Sequence, residues 1–291
     1  MARLDLRHPD NAPGEWYVDE RCIDCGTCRE LAPGLFGVTR DQSIVVRQPG
    51  EGPADQTDAW LADQACPTQS IGTAGHQRRP GRLFPREIAE GARVFDCGYC
   101  SERSFGATSW FVQRRSGNVL VDSPRFTPAL VGPFRDLGGI DHVVLTHRDD
   151  VADARRWADE FGARVWIHAD DRTAAPFATD VVEGLDEVAI TPDLACIPTP
   201  GHTRGSVVFL LDGTYLFTGD SLAWSFERDD LTAFRGACWY SWSVQTESLA
   251  RLAERHRFAW VLPGHGARTH ASPDDLHQRL TALVERMARA A

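Results

Sequence analysis

The chain has 291 residues, of which 42% are hydrophobic, so it is long enough to bury the core of one large domain or of two smaller ones. Its formal net charge of -10 argues against nucleic acid as a partner, because phosphate binding needs a basic surface. No apolar run has the length of a membrane span, and residues 1–13 lack the apolar core of a secretion signal. These features predict a soluble cytoplasmic protein without a membrane partner.

Four of the eight cysteines have the spacing of an iron-sulfur site. Cys22, Cys25 and Cys28 are separated by two residues each, and Cys66 follows much later in a Cys-Pro pair. Two-residue gaps let one loop wrap three thiolates around a cluster, and a distant Cys-Pro supplies the fourth. Ala32 stands where a two-cluster ferredoxin carries a ligand of its other cluster. The pattern predicts one [4Fe-4S] cluster, with a zinc knuckle or unligated thiols as the alternatives.

The sequence around these cysteines resembles single-cluster bacterial ferredoxins over residues 14–75. The resemblance rests on the segments CIDCGTC, APGLF and ACPTQSI. Between them, residues 43–47 are predicted to form a strand, and residues 54–65 an amphipathic helix that leads to Cys66.

A polar segment over residues 76–82 separates the cysteine-rich part from the rest of the chain. It contains three arginines and a Pro-Gly pair, which is the composition of a linker. We therefore predict an iron-sulfur domain with its linker over residues 1–82 and a second, larger domain over residues 83–291. Because each part has its own set of apolar residues, we expect the second domain to fold alone.

The other four cysteines lie in the larger domain. Cys97 and Cys100 form a C-x-x-C pair that would suit a redox dithiol or an electron relay. Packing of both as small apolar side chains is the favoured interpretation, because the surrounding sequence lacks the βαβ context of a thioredoxin-like motif. Cys196 lies within an apolar run and Cys238 beside a tryptophan, so both are predicted to lie in the core.

Several apolar strands of this domain adjoin a side chain that can bind a metal. An Asp-Gly pair between two apolar runs predicts a hairpin over residues 207–217, which brings the residues at its two ends together. Imidazole and carboxylate groups that meet in this way can share a metal ion, whereas a turn histidine and an Asx-turn aspartate are the alternative. The candidate ligands at the strand ends are His147, Asp149, His202, Asp220 and His265.

The order of these motifs resembles the metallo-β-lactamase superfamily over residues 95–270, an αββα sandwich whose metals sit at one edge between two sheets. The resemblance implies that the five candidate ligands bind metal and that Asp220 and His265 act in catalysis. It also implies that Asp122, which follows a strand, supports the ligands; by residue type alone a turn cap is the alternative. The predicted fold is an α+β chain of two domains, a small single-cluster ferredoxin-like domain followed by the sandwich.

The chain departs from the superfamily's T-H-x-H-x-D-H motif. The second His is Asp149, and the Asp and third His are Val151 and Ala152, which have no lone pair to donate. Because those positions normally build a second metal site, we predict at most one tightly bound ion. Two imidazoles with carboxylates favour iron over zinc for that ion, and a site without metal is the alternative. A subgroup of ferredoxin-fused proteins that the chain also resembles is expected to carry histidines where Ala154 and Ser221 stand.

Two further features concern the neighbourhood of the site. Residues 151–161 are predicted to form a helix and residues 163–168 a strand, which completes a βαβ unit. His168, at the end of that strand, is predicted to be a hydrogen-bonded structural histidine. Aromatic residues are dense over residues 224–242 and either line a substrate cleft or pack in the core, with core packing favoured.

These features together predict an iron-sulfur protein with a metal-dependent, hydrolase-like domain that acts on a small molecule. A bound ion would lower the pKa of a water ligand and polarise a carbonyl or ester group. Two alternatives stay open. One is an iron-dependent oxidoreductase that receives electrons from the cluster and has a redox partner protein. The other is a non-enzymatic electron-transfer or docking protein.

Overall fold

A computed structural model of the protein describes residues 1–75, 77 and 80–290. His76, Arg78 and Arg79 of the predicted linker lie outside the described residues. None of the described helices combines the length and the apolar character that crossing a membrane requires.

The cysteine-rich part of the chain forms a small domain with its own apolar core. Its elements are β1 (Trp16–Val18), α1 (Thr27–Leu31), β2 (Phe36–Thr39), β3 (Gln42–Val45), α2 (Pro53–Ala65) and β4 (Ile71–Thr73). β1 pairs with β4 and β2 pairs with β3, both antiparallel. Trp16, Phe36 and Ala62 are buried together with Cys28 and Cys66, so two of the four candidate cluster ligands belong to this core.

The larger domain begins with a seven-stranded mixed sheet. Its strands are β5 (Arg86–Glu87), β6 (Val94–Asp96), β7 (Trp110–Val112), β8 (Val119–Val121), β9 (His142–Val144), β10 (Arg164–His168) and β11 (Asp180–Val182). The strands β5 to β8 pair antiparallel, and β8 to β11 pair parallel. Helices α3 (Pro128–Asp136) and α4 (Ala154–Phe161) connect the parallel strands, which confirms the predicted βαβ unit.

A six-stranded sheet packs on the first one. Its strands are β12 (Val188–Thr191), β13 (Leu194–Pro198), β14 (Val207–Leu211), β15 (Tyr215–Gly219), β18 (Trp260–Pro263) and β19 (Thr269–His270). A ribbon of β16 (Ala223–Ser225) and β17 (Asp230–Thr232) and the helices α5 (Trp242–Arg255) and α6 (Pro273–Arg289) complete the domain. The predicted hairpin is confirmed, because β14 and β15 pair across Asp212 and Gly213, which have φ values of 53° and 60°.

Three apolar layers establish the αββα architecture that the sequence predicts. Phe134 and Trp157 pack helices α3 and α4 on the outer face of the first sheet. Phe209 lies in the layer between the two sheets. Leu249 and Leu280 pack helices α5 and α6 on the second sheet. Both sheets are therefore covered, and only their strand ends are left to form a site.

The helix predicted to begin at residue 151 begins three residues later. Arg148–Asp150 form a single 3-10 turn, and Ala152 has a φ of 36°, a conformation that no helical residue adopts. Periodicity extended the helix too far because Val151 continues its apolar spacing. The consequence is a tight turn directly after β9, which aims the two aspartates of that turn at the strand ends.

The two domains share an apolar interface. Leu61 and Ala65 of α2 are buried against the core of the larger domain, where Phe84 and Cys100 lie. The Cys100 backbone N–H donates a hydrogen bond of 3.1 Å to the Ala65 carbonyl. The boundary between residues 1–82 and 83–291 and the independent folding of the second part therefore stay predictions.

Most side chains singled out in the sequence lie where they were expected. Cys97, Cys100 and Cys196 are buried, and His168 Nε2 donates a hydrogen bond of 2.9 Å to the Gly184 carbonyl. The core prediction for Cys238 is wrong. Its thiol is half-buried and donates to the Gly201 carbonyl at 3.2 Å.

The aromatic set over residues 224–242 divides into two groups. Trp224 and Trp242 pack against the second sheet and its helices, as core packing predicts. Phe226, Trp239 and Tyr240 are 54%, 62% and 48% exposed, so core packing is wrong for these three. Sequence composition could not separate the groups, because both alternate with polar residues.

Candidate functional site

The candidate metal ligands meet at one end of the strands, where the two sheets face each other. The tight turn after β9 carries His147 and Asp149, and the loop before β14 carries His202. Asp220 directly follows β15, and His265 follows β18 two residues after its end. Residues far apart in the chain are thus brought together because adjacent strands end at the same level.

Gly219 allows β15 to approach the end of β9 closely. A Cβ atom at this position would lie 2.5 Å from Thr146 Oγ1 and 3.3 Å from His147 Nδ1. Gly219 also has a φ of 48°, in the left-handed region that favours glycine. A larger residue would therefore push Asp220 away from His147.

Two imidazoles and two carboxylates face one another across a small gap. His202 Nε2 lies 3.5 Å from Asp149 Oδ2 and 3.8 Å from Asp220 Oδ2. His147 Nε2 lies 3.9 Å from Asp149 Oδ2 and 3.8 Å from Asp220 Oδ2. The two imidazole rings are nearly perpendicular, with centroids 4.6 Å apart. These separations are longer than hydrogen bonds, so the four groups surround a space instead of bonding to each other.

The chemistry of this space fits a metal ion. Both Nε2 atoms, of His147 and His202, are buried and have no hydrogen-bond partner among the residues that the structure describes. A buried polar atom without a partner is costly, so two that point at one spot indicate a shared ligand. One ligand atom each from His147, Asp149 and His202 lies within 4.8 Å of the others. Nitrogen and carboxylate donors of this kind bind zinc or iron.

Asp122 sets the tautomer of His147 through Thr146. Burial lowers the pKa of His147 to about 4, partly offset by the charge of Asp220, so the imidazole is neutral at pH 7. Thr146 Oγ1 donates to Asp122 Oδ2 at 2.9 Å and therefore accepts from His147 Nδ1, also at 2.9 Å. This arrangement leaves the lone pair on His147 Nε2, the atom that faces the gap.

Asp220 and His265 form a tight ion pair beside the gap. His265 Nδ1 lies 2.9 Å and 3.0 Å from the two carboxylate oxygens. Although burial opposes both charges, each partner stabilises the other: the pKa of His265 rises to about 10, and the pKa of Asp220 falls well below its usual range. His265 Nε2 is 3.3 Å from the Phe105 carbonyl, so both ring nitrogens have partners. The role of His265 as a metal ligand stays a prediction.

Asp150 is a site residue that the motif comparison missed. It is buried, its Oδ2 has no hydrogen-bond partner among the described residues, and that oxygen lies 3.9 Å from His147 Nδ1. Ligand atoms of His147, Asp150 and Asp220 form a second group within 4.8 Å. Because this group needs His147 again, and a neutral imidazole has one lone pair, the two groups cannot both hold an ion through His147. The sequence signal that could have identified Asp150 is its position next to Asp149, in the turn that follows β9.

The candidate cluster ligands surround a small cavity of the first domain. The cavity is lined by Cys22, Cys25, Cys28 and Cys66, together with Thr27 and Ser43. Backbone N–H groups point at two of the sulfurs: that of Ser43 lies 3.4 Å from Cys22 Sγ, and that of Ser70 lies 3.3 Å from Cys66 Sγ. Such donors suit cluster thiolates, whose charge they stabilise.

The cavity is a poor place for free thiolates. Burial raises the pKa of Cys25 to about 11 and that of Cys66 above its usual value. Iron would therefore have to supply the stabilisation of the deprotonated sulfurs. The four thiols are unpaired cysteines, which is the state that cluster binding requires.

The cluster cavity and the metal site are neighbours across the domain interface. Gly106 of the larger domain approaches so closely that a Cβ there would lie 2.8 Å from Cys25 Sγ. The preceding Phe105 carbonyl contacts His265. Glu30 of α1 faces the same region, and burial raises its pKa to about 7 although the charge of His265 acts against the shift. No local motif in the sequence indicated that Glu30, Phe105 and Gly106 lie here.

Comparison with known families gives two matches. Residues 18–73 match the 4Fe-4S single cluster domain of Ferredoxin I. Residues 95–286, more than half of the chain, match the metallo-beta-lactamase superfamily.

The curated relatives match this chain over only part of its length. The chain is 37% identical over 110 residues to a hydroxyacylglutathione hydrolase of Fuscovulum blasticum, which covers 36% of this chain and 42% of that protein. It therefore spans less than half the length of this relative. It is 29% identical over 206 residues to an uncharacterized protein of Mycobacterium tuberculosis, covering 58% of this chain and 82% of that protein.

Solved structures share the fold of the larger domain. The DIM-1 metallo-beta-lactamase aligns with a TM-score of 0.53 and 20% identity, covering 69% of this chain and 95% of that one. The FIM-1 metallo-beta-lactamase from Pseudomonas aeruginosa, in its mono-zinc form, aligns with a TM-score of 0.50 and 20% identity, covering 62% and 84%. Identities this low demonstrate a common fold and nothing about substrate.

Proposed function

The chain belongs to the metallo-beta-lactamase superfamily and carries a single-cluster 4Fe-4S ferredoxin domain, and on this premise we propose that it is a metal-dependent hydrolase with one ion in the larger domain. One observation carries the proposal: the buried Nε2 atoms of His147 and His202 lack partners among the described residues and face two carboxylates. The relatives named hydroxyacylglutathione hydrolase support hydrolytic chemistry on an acyl ester or thioester.

The proposed ligands are His147, Asp149, His202 and Asp220. A bound ion supplies Lewis acidity and a water ligand of lowered pKa. Asp149 has 45% of its side chain exposed, so the site opens to solvent and substrate on that side. His147 is held in the tautomer that binds, and Asp220 is ionised at neutral pH, so the ligand set needs little rearrangement.

His265 is proposed as the proton donor. In the metal-free protein it is protonated at neutral pH because Asp220 stabilises the imidazolium, and 19% of its side chain is exposed. In this role it donates a proton to the leaving group while Asp220 keeps the ring oriented. The residue is thus proposed as an acid, with a role as ligand as the alternative.

Iron is proposed over zinc as the resident ion. Two imidazoles with carboxylates and an open side resemble the sets that hold non-haem iron. The four proposed cysteine ligands, Cys22, Cys25, Cys28 and Cys66, would hold the cluster in the first domain. The proposed partners are a small-molecule substrate and a redox protein that exchanges electrons with the cluster.

Metal analysis of the full chain, prepared without oxygen, tests the proposal. The wild type should contain one metal equivalent beyond the irons of the cluster, and His202→Ala should lose that equivalent together with ester hydrolysis. His256→Ala is the matched control. The ring of His256 lies outside the site, where its Nε2 is 2.8 Å from Glu187 Oε1. Two equivalents of zinc would contradict a single ion, and no metal at any loading would contradict a metalloenzyme.

The second candidate is an oxidoreductase that receives electrons from the cluster. The contact of Gly106 with Cys25, one residue from the carbonyl that contacts His265, favours it. The two candidates differ in their need for electrons. Turnover that requires a one-electron reductant under anaerobic conditions would favour the oxidoreductase, and turnover independent of reductant would favour the hydrolase.

A further inference from the structure

We propose that reduction of the cluster and binding of the metal ion are thermodynamically linked through the loop of residues 101–107, so that the charge of either group changes the equilibrium of the other. The inference rests on the proposed function, because it needs an ion at His147 and His202. It goes further by assigning the iron-sulfur domain a direct effect on the site of the larger domain.

The loop is a stiff connector between the two sites. It makes one 3-10 turn, Glu102–Ser104, and then reverses through Phe105 and Gly106, whose φ values are 51° and 90°. The Gly106 backbone N–H donates to the Ser101 carbonyl at 2.8 Å, and three further backbone bonds of 3.0 Å, 3.1 Å and 3.3 Å close the turn. Because the turn is held by its own bonds, a displacement at one end is passed to the other.

At the cluster end, the loop backbone lies against a proposed cluster ligand. A Cβ on Gly106 would lie 2.6 Å from Cys25 Cβ and 2.8 Å from Cys25 Sγ, so only glycine permits the contact. Thr27 Oγ1 donates to the Gly106 carbonyl at 2.9 Å and lies 3.4 Å from Cys25 Sγ. The cysteine and the loop are thus joined by a side chain of the cluster-binding loop.

At the other end, the loop backbone contacts the ion pair of the metal site. The Phe105 carbonyl lies 3.3 Å from His265 Nε2, and His265 Nδ1 bonds both oxygens of Asp220. Asp220 Oδ2 lies 3.8 Å from the unpartnered Nε2 atoms of both site histidines. A change in charge at Cys25 therefore changes the electrostatic potential at Asp220, the carboxylate that faces the ion.

A second element of the iron-sulfur domain reaches the same residue. Glu30 of α1 lines a cavity between the domains together with Gly266 and Arg268, which follow His265 in the chain. The first domain thus approaches His265 through Glu30 as well as through the loop.

The expected size of the linkage follows from the distance. Contacts and backbone bond lengths limit the separation of Cys25 Sγ and His265 Nε2 to about 12 Å. An ion between the Nε2 atoms of His147 and His202 lies beyond Asp220, within about 20 Å of Cys25 Sγ. One added electron at that distance changes the binding equilibrium of a divalent cation by about tenfold at an effective dielectric constant of about 20. The added negative charge strengthens cation binding. By reciprocity the bound cation makes the cluster easier to reduce, and tenfold corresponds to about 59 mV for a one-electron couple.

The experiment is a potentiometric titration of the full-length protein with its cluster, followed by electron paramagnetic resonance. Dithionite supplies one electron to [4Fe-4S]2+ to give [4Fe-4S]+, and zinc, which is redox-inert, fills the metal site from which the resident ion has been removed. Saturating zinc should raise the midpoint potential by about 59 mV. His202→Ala, which loses zinc, should show no shift.

The outcomes separate this inference from the proposed function. Zinc that binds to the wild type without moving the potential would overturn the linkage and leave the metal site standing. A protein that binds neither zinc nor ferrous iron in the larger domain would overturn both.

Two variants then test the loop itself. Gly106→Ala should push the loop from Cys25 and reduce the zinc-induced shift, whereas Gly132→Ala is a matched control, since nothing lies within 4 Å of its added Cβ. Thr27→Val removes the bond to the Gly106 carbonyl and should also reduce the shift, which keeps the test available if Gly106→Ala does not fold. A full shift in both Gly106→Ala and Thr27→Val would overturn the assignment of the loop.

Discussion

The cluster cavity and the metal site hold their candidate ligands in opposite ways. Three of the four cluster thiols come from one loop, Cys22 to Cys28, whereas the metal ligands come from the ends of separate strands. Burial keeps Cys25 protonated, with a pKa of about 11, while it keeps His147 neutral and ready to bind. Burial therefore leaves the stabilisation of the thiolates to the cluster irons, whereas it already holds His147 in the neutral form that can bind an ion.

The largest effect is expected for loss of a cluster thiol. Cys25→Ala should abolish the four-iron cluster or convert it to a three-iron form, because the loop then offers one thiolate too few. Visible absorption and the iron and sulfide content per chain measure the outcome. Cys238→Ala is the control, because that half-buried thiol is not a proposed cluster ligand, and this variant should keep the full cluster. An intact four-iron cluster in Cys25→Ala would show that the assignment of the thiols is wrong.

A smaller but still large effect separates the two carboxylates after β9. Asp149→Ala should weaken metal binding more than about 100-fold, since loss of a direct ligand exceeds the 10–100-fold typical of outer partners. Asp150→Asn should weaken metal binding less than about tenfold if a single ion lies between the Nε2 atoms of His147 and His202. Competition with a chromophoric chelator measures both. The reverse order would place the ion in the second group, with Asp150 and Asp220.

The support of His147 predicts an intermediate effect. Asp122→Asn should weaken metal binding by about 10–100-fold, because the Thr146 hydroxyl no longer has a carboxylate to which it donates and the tautomer of His147 is no longer fixed. Asp136→Asn, at an exposed position of α3, is the control and should bind like the wild type. Equal affinities in the two variants would argue that Asp122 only shapes the turn.

The smallest effect concerns the stability of the metal-free protein. The pKa of His265 is about 10 in the folded state and about 6.5 when unfolded, so its pair with Asp220 stabilises the fold fully below pH 6.5. That contribution is lost as pH rises through about 10. The free energy of unfolding of the wild type should therefore exceed that of His265→Gln most near pH 6, with the gap narrowing toward pH 10. Urea denaturation with a chelator present measures it, and a constant gap would argue against the ion pair.

The local features of both sites can be predicted from the sequence. The two-residue gaps of Cys22, Cys25 and Cys28 predict a single-cluster domain, which the family match bears out, because a loop that wraps a cluster is a local structure. The Asp212-Gly213 turn predicts the hairpin that presents His202 and Asp220, since two residues with positive φ fix its geometry. The αββα fold is what the resemblance of the ordered motifs to the metallo-β-lactamase superfamily implies, and the family match bears it out.

The residues that surround those local features depend on the tertiary structure. Asp150 enters the site because it ends a 3-10 turn, Arg148–Asp150, that lies directly after β9 and before the predicted helix, and a helical pattern cannot reveal that turn. Phe226 and Trp239 are exposed although their spacing resembles that of buried aromatics. Gly106 meets Cys25 across 81 positions of sequence, and such a contact depends on how two domains pack, for which no local periodicity codes.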